Sequence, residues 1–393
     1  MPKRSICFLL GSGISIHAGV PSTRALSDEI LSGDNIIRNQ HKAFVPFEAN
    51  NPQHNIYGLD QRTGVREILP LISALKAEAD VHYQGSVSSN YEDWFYLADQ
   101  LGRGSDDYDN PACWAFRESL RPRVERRHAL SSHVKRIEDL ADEACQYISD
   151  LVLQGLLEPP KTVALDWIID AVRDVGVDAR GLFTLNHDLV LETLFEKHRE
   201  PYTVGFDKTV PGSTMLHWDE DSVLQKSGKA IIAKLHGSVD WREKNNLGEF
   251  LRDDQRTMAA FRRRPDDQAP EGSTPMMLIG RHNKLYHYNS YVYDALQFCF
   301  HQALKASDVL VVCGYGWGDK GVNSKILNWR FSGSNTLVVI RSDEPFPDTS
   351  RLAVLQGMAN WKENKRIVHI SARAEDMTWD RLKAELAERD GQS

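Results

Sequence analysis

The chain has 393 residues, of which 41% are hydrophobic and 26% charged, and its formal net charge is −8. That length implies two or three folding units, or one large α/β domain carrying insertions. The acidic balance argues against a general nucleic-acid binder, and no apolar run reaches the ~18–20 residues of a membrane helix.

At the start, Lys3 and Arg4 precede only five apolar residues, Ile6–Leu10. A secretory signal needs roughly 7–15, so the segment reads as a buried strand. Cys7, Cys113, Cys145, Cys299 and Cys313 are far apart and odd in number, which fits a reducing cytoplasm. With no Cys-x-x-Cys in the chain a thiolate zinc site is not expected, and since His17, His82 and His187 have no ligand-like spacing no metal is expected.

The strand at 5–10 ends at Gly11, and Thr23–Leu31 follows with helical spacing of Ala25, Leu26, Ile30 and Leu31. From 34 to 159 the sequence predicts a mainly helical insertion. Its clearest segments are Tyr91–Leu101 and Arg136–Leu153, with the aromatics of Tyr91–Tyr96 in its core. After Pro160 apolar strands alternate with helices. Strands are expected at Gly181–Leu185, Ile231–Leu235, Met276–Ile279, Asp308–Cys313, Thr336–Ile340 and Ile367–Ile370, and helices at Asp188–His198 and Ser290–Lys305. The stretches 207–228 and 242–274 read as long loops, with Phe261–Arg264 at a loop edge. The expected fold is α/β, a Rossmann-like parallel sheet. Residues 1–33 and 160–375 form that core, 34–159 the insertion, and 376–393 a C-terminal helix and tail.

Four motifs stand where predicted strands end, which is where ligands bind on open α/β sheets. Gly11-Ser12-Gly13-Ile14-Ser15 reads as a phosphate-binding turn or a plain structural one, since Ile16 occupies the place of the third glycine in the usual fingerprint. Thr184-Leu185-Asn186-His187-Asp188 offers an amide and a carboxylate, or a helix cap. His236-Gly237 offers a general base, or a hydrogen-bonded structural histidine. Gly314-Tyr315-Gly316-Trp317-Gly318-Asp319, with Asn323 beyond it, allows another close approach to phosphate or ribose, or a glycine-rich turn.

Taken together and in order, these residues resemble the SIR2 (sirtuin) superfamily. Gly11, Gly13, Ser15, Ala18, Gly19, Val20 and Pro21 follow its first motif, with Arg24 at the arginine position; Thr184, Asn186 and Asp188, then His236-Gly237, follow the next two. The Gly314–Asp319 loop with Asn323 resembles the divergent bacterial SIR2-like branch. The resemblance implies that the turn of Gly11, Ser12, Gly13 and Ser15 holds the diphosphate of NAD, the substrate, with Arg24 near the phosphates. It implies that Asp188 binds the nicotinamide carboxamide, that Asn186 holds the ribose and a water, and that His236 is the base for a ribose hydroxyl. Gly314 and Gly316 would pack on the adenosine side, and Pro21, Thr184, Asp319 and Asn323 carry over as further NAD-binding positions.

There are departures from the pattern. The two Cys-x-x-Cys zinc pairs are missing, Leu185 replaces a glutamine, Thr23 a phenylalanine and Arg341 an asparagine. Loss of the zinc module removes a wall of the acyl-peptide groove, so water becomes the expected acceptor. The expectation is therefore an NAD glycohydrolase, of the kind that depletes NAD in antiphage defence. The alternatives are a non-catalytic NAD or ADP-ribose sensor and a zinc-free deacylase or ADP-ribosyltransferase. Control is expected from a homo-oligomer or a separate sensor or HerA-type ATPase partner. That contact would use the insertion's Arg121–Arg136 stretch, which has six Lys/Arg and one acid. The default for that stretch is a solvated helix face; nucleic-acid contact there is open but not favoured.

Overall fold

The computed structural model describes residues 3–39, 43–47, 63–84, 88–102, 111–128, 136–209, 215–225, 228–244, 248–253, 273–333, 335–343 and 366–390. Ile6–Leu10 is apolar on both faces of its pleat, so the strand it forms must be covered twice. It becomes β1 (Arg4–Leu10), whose residues from Ser5 onward are all buried. After Gly11 the chain makes two 3-10 turns, Ser12–Ile14 and Ile16–Ala18, before α1 (Thr23–Ser32). Ser22 caps α1 by accepting from the Ala25 N–H at 3.2 Å, and Gly33 ends it with φ +60°.

The insertion opens with an unexpected antiparallel hairpin of β2 (Ile36–Arg38) and β3 (Phe44–Pro46). Strands of three residues are too short to show a period. Among the described residues four helices follow: α2 (Thr63–Tyr83), α3 (Tyr91–Gly102), α4 (Pro111–His128) and α5 (Ile137–Leu157). Ile68, Ile72, Trp94, Leu140 and Tyr147 build their common core, each large side chain contributing ~1.5–3 kcal/mol on burial. Leu26 and Ile30 of α1 belong to that same core, and the Tyr147 hydroxyl donates to the Ile30 carbonyl at 3.0 Å. So α1, which the sequence groups with the 1–33 segment, packs on the insertion.

The remaining elements are α6 (Asp166–Arg173), β4 (Val177–Thr184), α7 (Val190–His198), β5 (Tyr202–Thr203), β6 (Lys208–Thr209), β7 (Leu216–His217), α8 (Asp221–Leu224), β8 (Ala230–Lys234), β9 (Gly237–Lys244), β10 (Glu249–Arg252), β11 (Ser273–Met277), α9 (Lys284–His287), α10 (Tyr291–Lys305), β12 (Val309–Cys313), α11 (Lys320–Phe331), β13 (Thr336–Arg341), β14 (Ile367–Ser371) and α12 (Trp379–Asp390). Seven strands form the central sheet in the order β14-β13-β12-β1-β4-β8-β5. Every neighbouring pair is parallel, as the continuous apolar runs require. The chain leaves β1 for β4 on one side and later returns as β12 on the other. That makes β1 the switch point, and a crevice opens at its C-terminal end.

Two expectations are corrected. The Met276–Ile279 strand is Ser273–Met277, and it lies outside the parallel sheet. The supposed loops contain β6, β7, β10 and the end of β9, and these strands with β11 form a five-stranded antiparallel sheet in the order β11-β9-β10-β7-β6. The sequence hides this sheet because ion pairs fill inward positions that apolar side chains usually take. Arg242 meets Asp253 at 3.0 Å with both side chains 1% exposed, and Arg252 meets Asp240 at 2.6 Å.

The C-terminal segment is docked onto the core. Trp167 donates to the Ala374 carbonyl at 3.0 Å, Trp379 donates to Asp174 at 2.7 Å, and Leu382 and Leu386 are buried. Among the described residues no helix is long and apolar enough to cross a membrane. Phe261–Arg264 and the side chains of Arg126 and Arg127 lie outside the described residues.

Candidate active site

The four motifs meet on one rim of the sheet, after β1, β4, β8 and β12. Two of the glycine loops interlock. Gly13 N–H donates to the Gly314 carbonyl at 2.9 Å. A Cβ on Gly11 would come within 2.6 Å of Gly314 O, and one on Gly13 within 2.7 Å of Gly314 Cα. Gly314 has φ +66° and would itself strike Ile14 N at 2.6 Å. The glycines at 11, 13 and 314 are therefore demanded by loop-on-loop packing. Gly316 differs, because it lines the cleft with nothing within 4 Å of a Cβ placed there.

The β4 loop is tied to the first glycine loop. Thr184 Oγ1 donates to the Leu10 carbonyl at 3.0 Å and accepts from Asn186 N–H at 3.1 Å. Asn186 Nδ2 donates to Gly11 O at 3.1 Å and to Ser15 Oγ at 3.0 Å. Both amide hydrogens are used, so the group that Asn186 can still offer is its acceptor, Oδ1. Asp188 lines the cleft, and its Oδ1 accepts from the Val190 N–H at 3.0 Å in the turn that leads into α7. Beneath it, the fully buried Lys234 pairs with Glu192 at 2.9 Å and donates to the Asp188 carbonyl.

His236 follows β8 and faces the Gly314–Asp319 loop. Its Nε2 lies 2.9 Å from Asp319 Oδ2 and 2.8 Å from Tyr288 Oη, and Tyr288 donates to the same carboxylate oxygen. Burial pushes the His236 imidazole below its ordinary value and Lys284 adds to this, against the opposing pull of Asp319. Burial, with His236 close by, pushes His187 down further. Burial alone would raise Asp319. Hydrogen bonding and charge from His236, with Lys284 and Tyr288, hold it well below the usual carboxylate range instead.

The cleft has a volume of about 330 Å³ and is lined by Gly11, Ser12, Pro21, Asn186, Asp188, His236, Gly316 and Asp319, among others. The other expected site residues are not on its surface. Gly13, Ser15, Thr184 and Gly314 stand behind it as framework. Asn323 is 1% exposed; it donates to the Trp317 carbonyl at 3.0 Å and accepts from Tyr315 at 2.9 Å. It thus holds a loop in which Trp317 takes a left-handed φ of +57°. Arg24 is not brought to the cleft at all: its side chain is 92% exposed and leans towards Asp28 at 4.0 Å. It sits at the second position of α1, whose buried face is turned to the insertion, so it points to solvent.

Cationic residues reach the cleft from elsewhere. Arg281 and Lys284 line it from the loop after β11 and from α9, opposite Asn90, Tyr91 and Glu92 of the insertion. Lys284 pairs with Glu92 at 2.9 Å. Burial would raise Glu92, but Lys284 and Arg281 outweigh it and hold the carboxyl below its ordinary value. The sequence signal for these cations was Gly280-Arg281, directly after an apolar strand run and followed by Lys284. Tyr288 had no such signal. Among the described residues, no group of three or more His, Cys, Asp or Glu side chains is placed to hold a metal ion.

The family model described as SIR2-like domain matches residues 180–367, which include Asn186, Asp188, His236 and the Gly314–Asp319 loop but not the Gly11 loop. No curated protein matches the chain. Among solved structures, a Sir2 homologue–NAD complex overlaps at 12% identity and TM-score 0.42, over 98% of this chain and 91% of that one. A mutant Sir2 homologue with 2′-O-acetyl-ADP-ribose overlaps at 10% identity and TM-score 0.38, over 98% and 94%. A structure described for the mechanism and regulation of Sir2 enzymes overlaps at 11% identity and TM-score 0.40, over 99% and 93%. Residues 180–367, a little under half of the chain and running from within β4 to the first residue of β14, are similar to a SIR2-like domain.

Proposed function

We propose that the protein hydrolyses NAD at the nicotinamide–ribose bond, so that NAD and water give nicotinamide, ADP-ribose and a proton. The observation that carries this reading is the convergence of Asn186, Asp188 and His236, all within the segment that matches a SIR2-like domain, on one cleft at the switch point of the parallel sheet. The leaving nicotinamide takes the bonding electron pair and departs neutral, and positive charge develops on the ribose. Asn186 lines the cleft with its amide hydrogens committed elsewhere, so its Oδ1 is the acceptor left to hold a water by its hydrogen against that carbon. Asp188 faces the same space as a partner for the carboxamide N–H. His236 is neutral at pH 7 and takes up the proton released at the ribose. Water is the acceptor because the chain has no Cys-x-x-Cys to build the zinc module of an acyl-peptide groove.

The same proposal extends to control. An enzyme that drains NAD, as relatives in antiphage defence do, must be held silent, through self-assembly or a partner such as a HerA-type ATPase. Trp114 and Val81, 62% and 74% exposed on the insertion, support a contact there. The basic stretch supports it less, since Arg121 already pairs with Glu118 and Glu138, and Arg123 with Glu78.

The test is chromatography of NAD incubated with the purified protein, alone and with its assembled partner. Equal amounts of nicotinamide and ADP-ribose are expected. NAD left intact by the assembled system, or O-acyl-ADP-ribose formed only with an acyl-lysine peptide, would overturn the proposal.

A further inference from the structure

Asp319 is badly placed to bind ribose. Its Oδ1 caps α11 by accepting from Val322 N–H at 2.8 Å, and its Oδ2 faces both His236 Nε2 and the Tyr288 hydroxyl. Three of about four lone-pair sites are thus committed inside the protein. Tyr288 also stacks near the imidazole, with ring centroids 6.0 Å apart and planes 23° from parallel.

We propose that Asp319 and Tyr288 are positioning residues that hold His236 with its proton on Nε2, so that Nδ1 is the atom that accepts the substrate proton. This rests on the reading of the cleft as an NAD-cleaving site.

The argument counts protons. Asp319 is ionised, so its oxygens only accept. A lone pair on Nε2 would point at a carboxylate oxygen 2.9 Å away, and two acceptors at that distance repel. The Tyr288 hydrogen is already directed to Asp319, so the proton between imidazole and carboxylate must come from Nε2. A neutral ring has one N–H, which leaves Nδ1 with the lone pair. The same carboxylate fixes the ring's rotation, as an orienting acid does behind a catalytic histidine. Charge also enters from Lys284 and Glu92 across the cleft and from the neighbouring His187. None of these three hydrogen-bonds the imidazole among the described residues.

The deciding variant is Asp319→Asn. It keeps an oxygen for the α11 cap but sets an NH₂ group against Nε2–H and the Tyr288 hydroxyl. If Asp319 only capped the helix, this variant would work as wild type does. If it positions His236, kcat falls by about 10²-fold or more while KM stays within about threefold. The acidic limb of the pH–rate profile moves to lower pH, because a carboxylate that favoured the protonated ring is gone. Tyr288→Phe shows a smaller loss of kcat. Circular dichroism checks that both variants fold. A second readout needs no turnover. Long-range ¹⁵N–¹H NMR of histidine-labelled wild type, with His236 assigned by His236→Gln, should show the Nε2–H tautomer at pH 7.5. The Nδ1–H tautomer, or Asp319→Asn with unchanged kcat and pH profile, would overturn the inference. Wild-type protein that never cleaves NAD would instead overturn the reading of the cleft, and the tautomer would still decide the placement of the proton.

Discussion

Arg281 clasps Asp93 with two nitrogens, Nε to Oδ1 at 2.7 Å and Nη2 to Oδ2 at 3.2 Å. The pair joins helix α3 of the insertion to the loop that follows β11. One residue earlier on the same helix, Glu92 reaches Lys284 on the cleft side. The insertion is therefore a wall of the site.

Breaking that clasp should be costly. The two side chains are 14% and 5% exposed, so removing either partner strands a nearly buried charge. Arg281→Ala and Asp93→Ala should each lower stability by ~3–5 kcal/mol. The double variant should cost less than the sum of the two. Urea titrations of all four proteins check this, and additive losses would show that the pair is not coupled.

Asn186→Ala should lower the rate of NAD cleavage by ~10²–10⁴-fold, as loss of a water-positioning group does. It also leaves Gly11 O and Ser15 Oγ without their donor, so a stability loss of ~1–3 kcal/mol is expected alongside. Single-turnover assays well below the variant's melting point separate the two effects. A folded variant with near-normal turnover would remove Asn186 from the mechanism.

The glycines should divide by position. Gly13→Ala drives a methyl group against Gly314 Cα and is expected to impair folding. Gly316→Leu meets open space but fills the cleft, so the protein should keep its melting temperature and bind NAD at least about tenfold more weakly, an energy of about 1.4 kcal/mol. Thermal melts and NAD titration measure both. A Gly316→Leu protein with wild-type affinity would place NAD elsewhere.

Burial pushes the Asp150 carboxyl up to about 7, against the Phe44 N–H it accepts at 2.9 Å and the nearby Arg38. Its folded value lies above its unfolded one, so this group favours the native state at low pH. That contribution fades as pH rises from the unfolded value near 4 and is gone above about 7. Asp150→Asn keeps an acceptor for Phe44 and cannot ionise. It should raise the melting temperature at pH 8 relative to wild type, with the gain shrinking towards pH 5. An equal shift at both values would show that ionisation of Asp150 carries no cost.

Local residue chemistry determined the parallel sheet and the rim of motifs. Ile6–Leu10 and Val309–Cys313 are apolar on both faces and can only be central strands, and the residues that follow such strands must lie at their C-terminal ends. That much needs no knowledge of partners, because burial is a property of each strand alone. The tertiary structure decided what each motif residue touches. Gly11 and Gly13 are glycines because Gly314 lies against them, some 300 residues away. Asp319 faces His236 because β12 returns beside β1 while β8 lies two strands beyond it. Arg24 fits the motif by spacing, yet helix α1 is rotated by its packing on the insertion and carries that side chain into solvent. The antiparallel sheet stayed hidden because Arg242–Asp253 and Arg252–Asp240 are buried by pairing. Pairing across strands leaves no periodic apolar trace in either strand. Spacing along a chain reports what a residue can do, whereas long-range contacts decide which of those things it does.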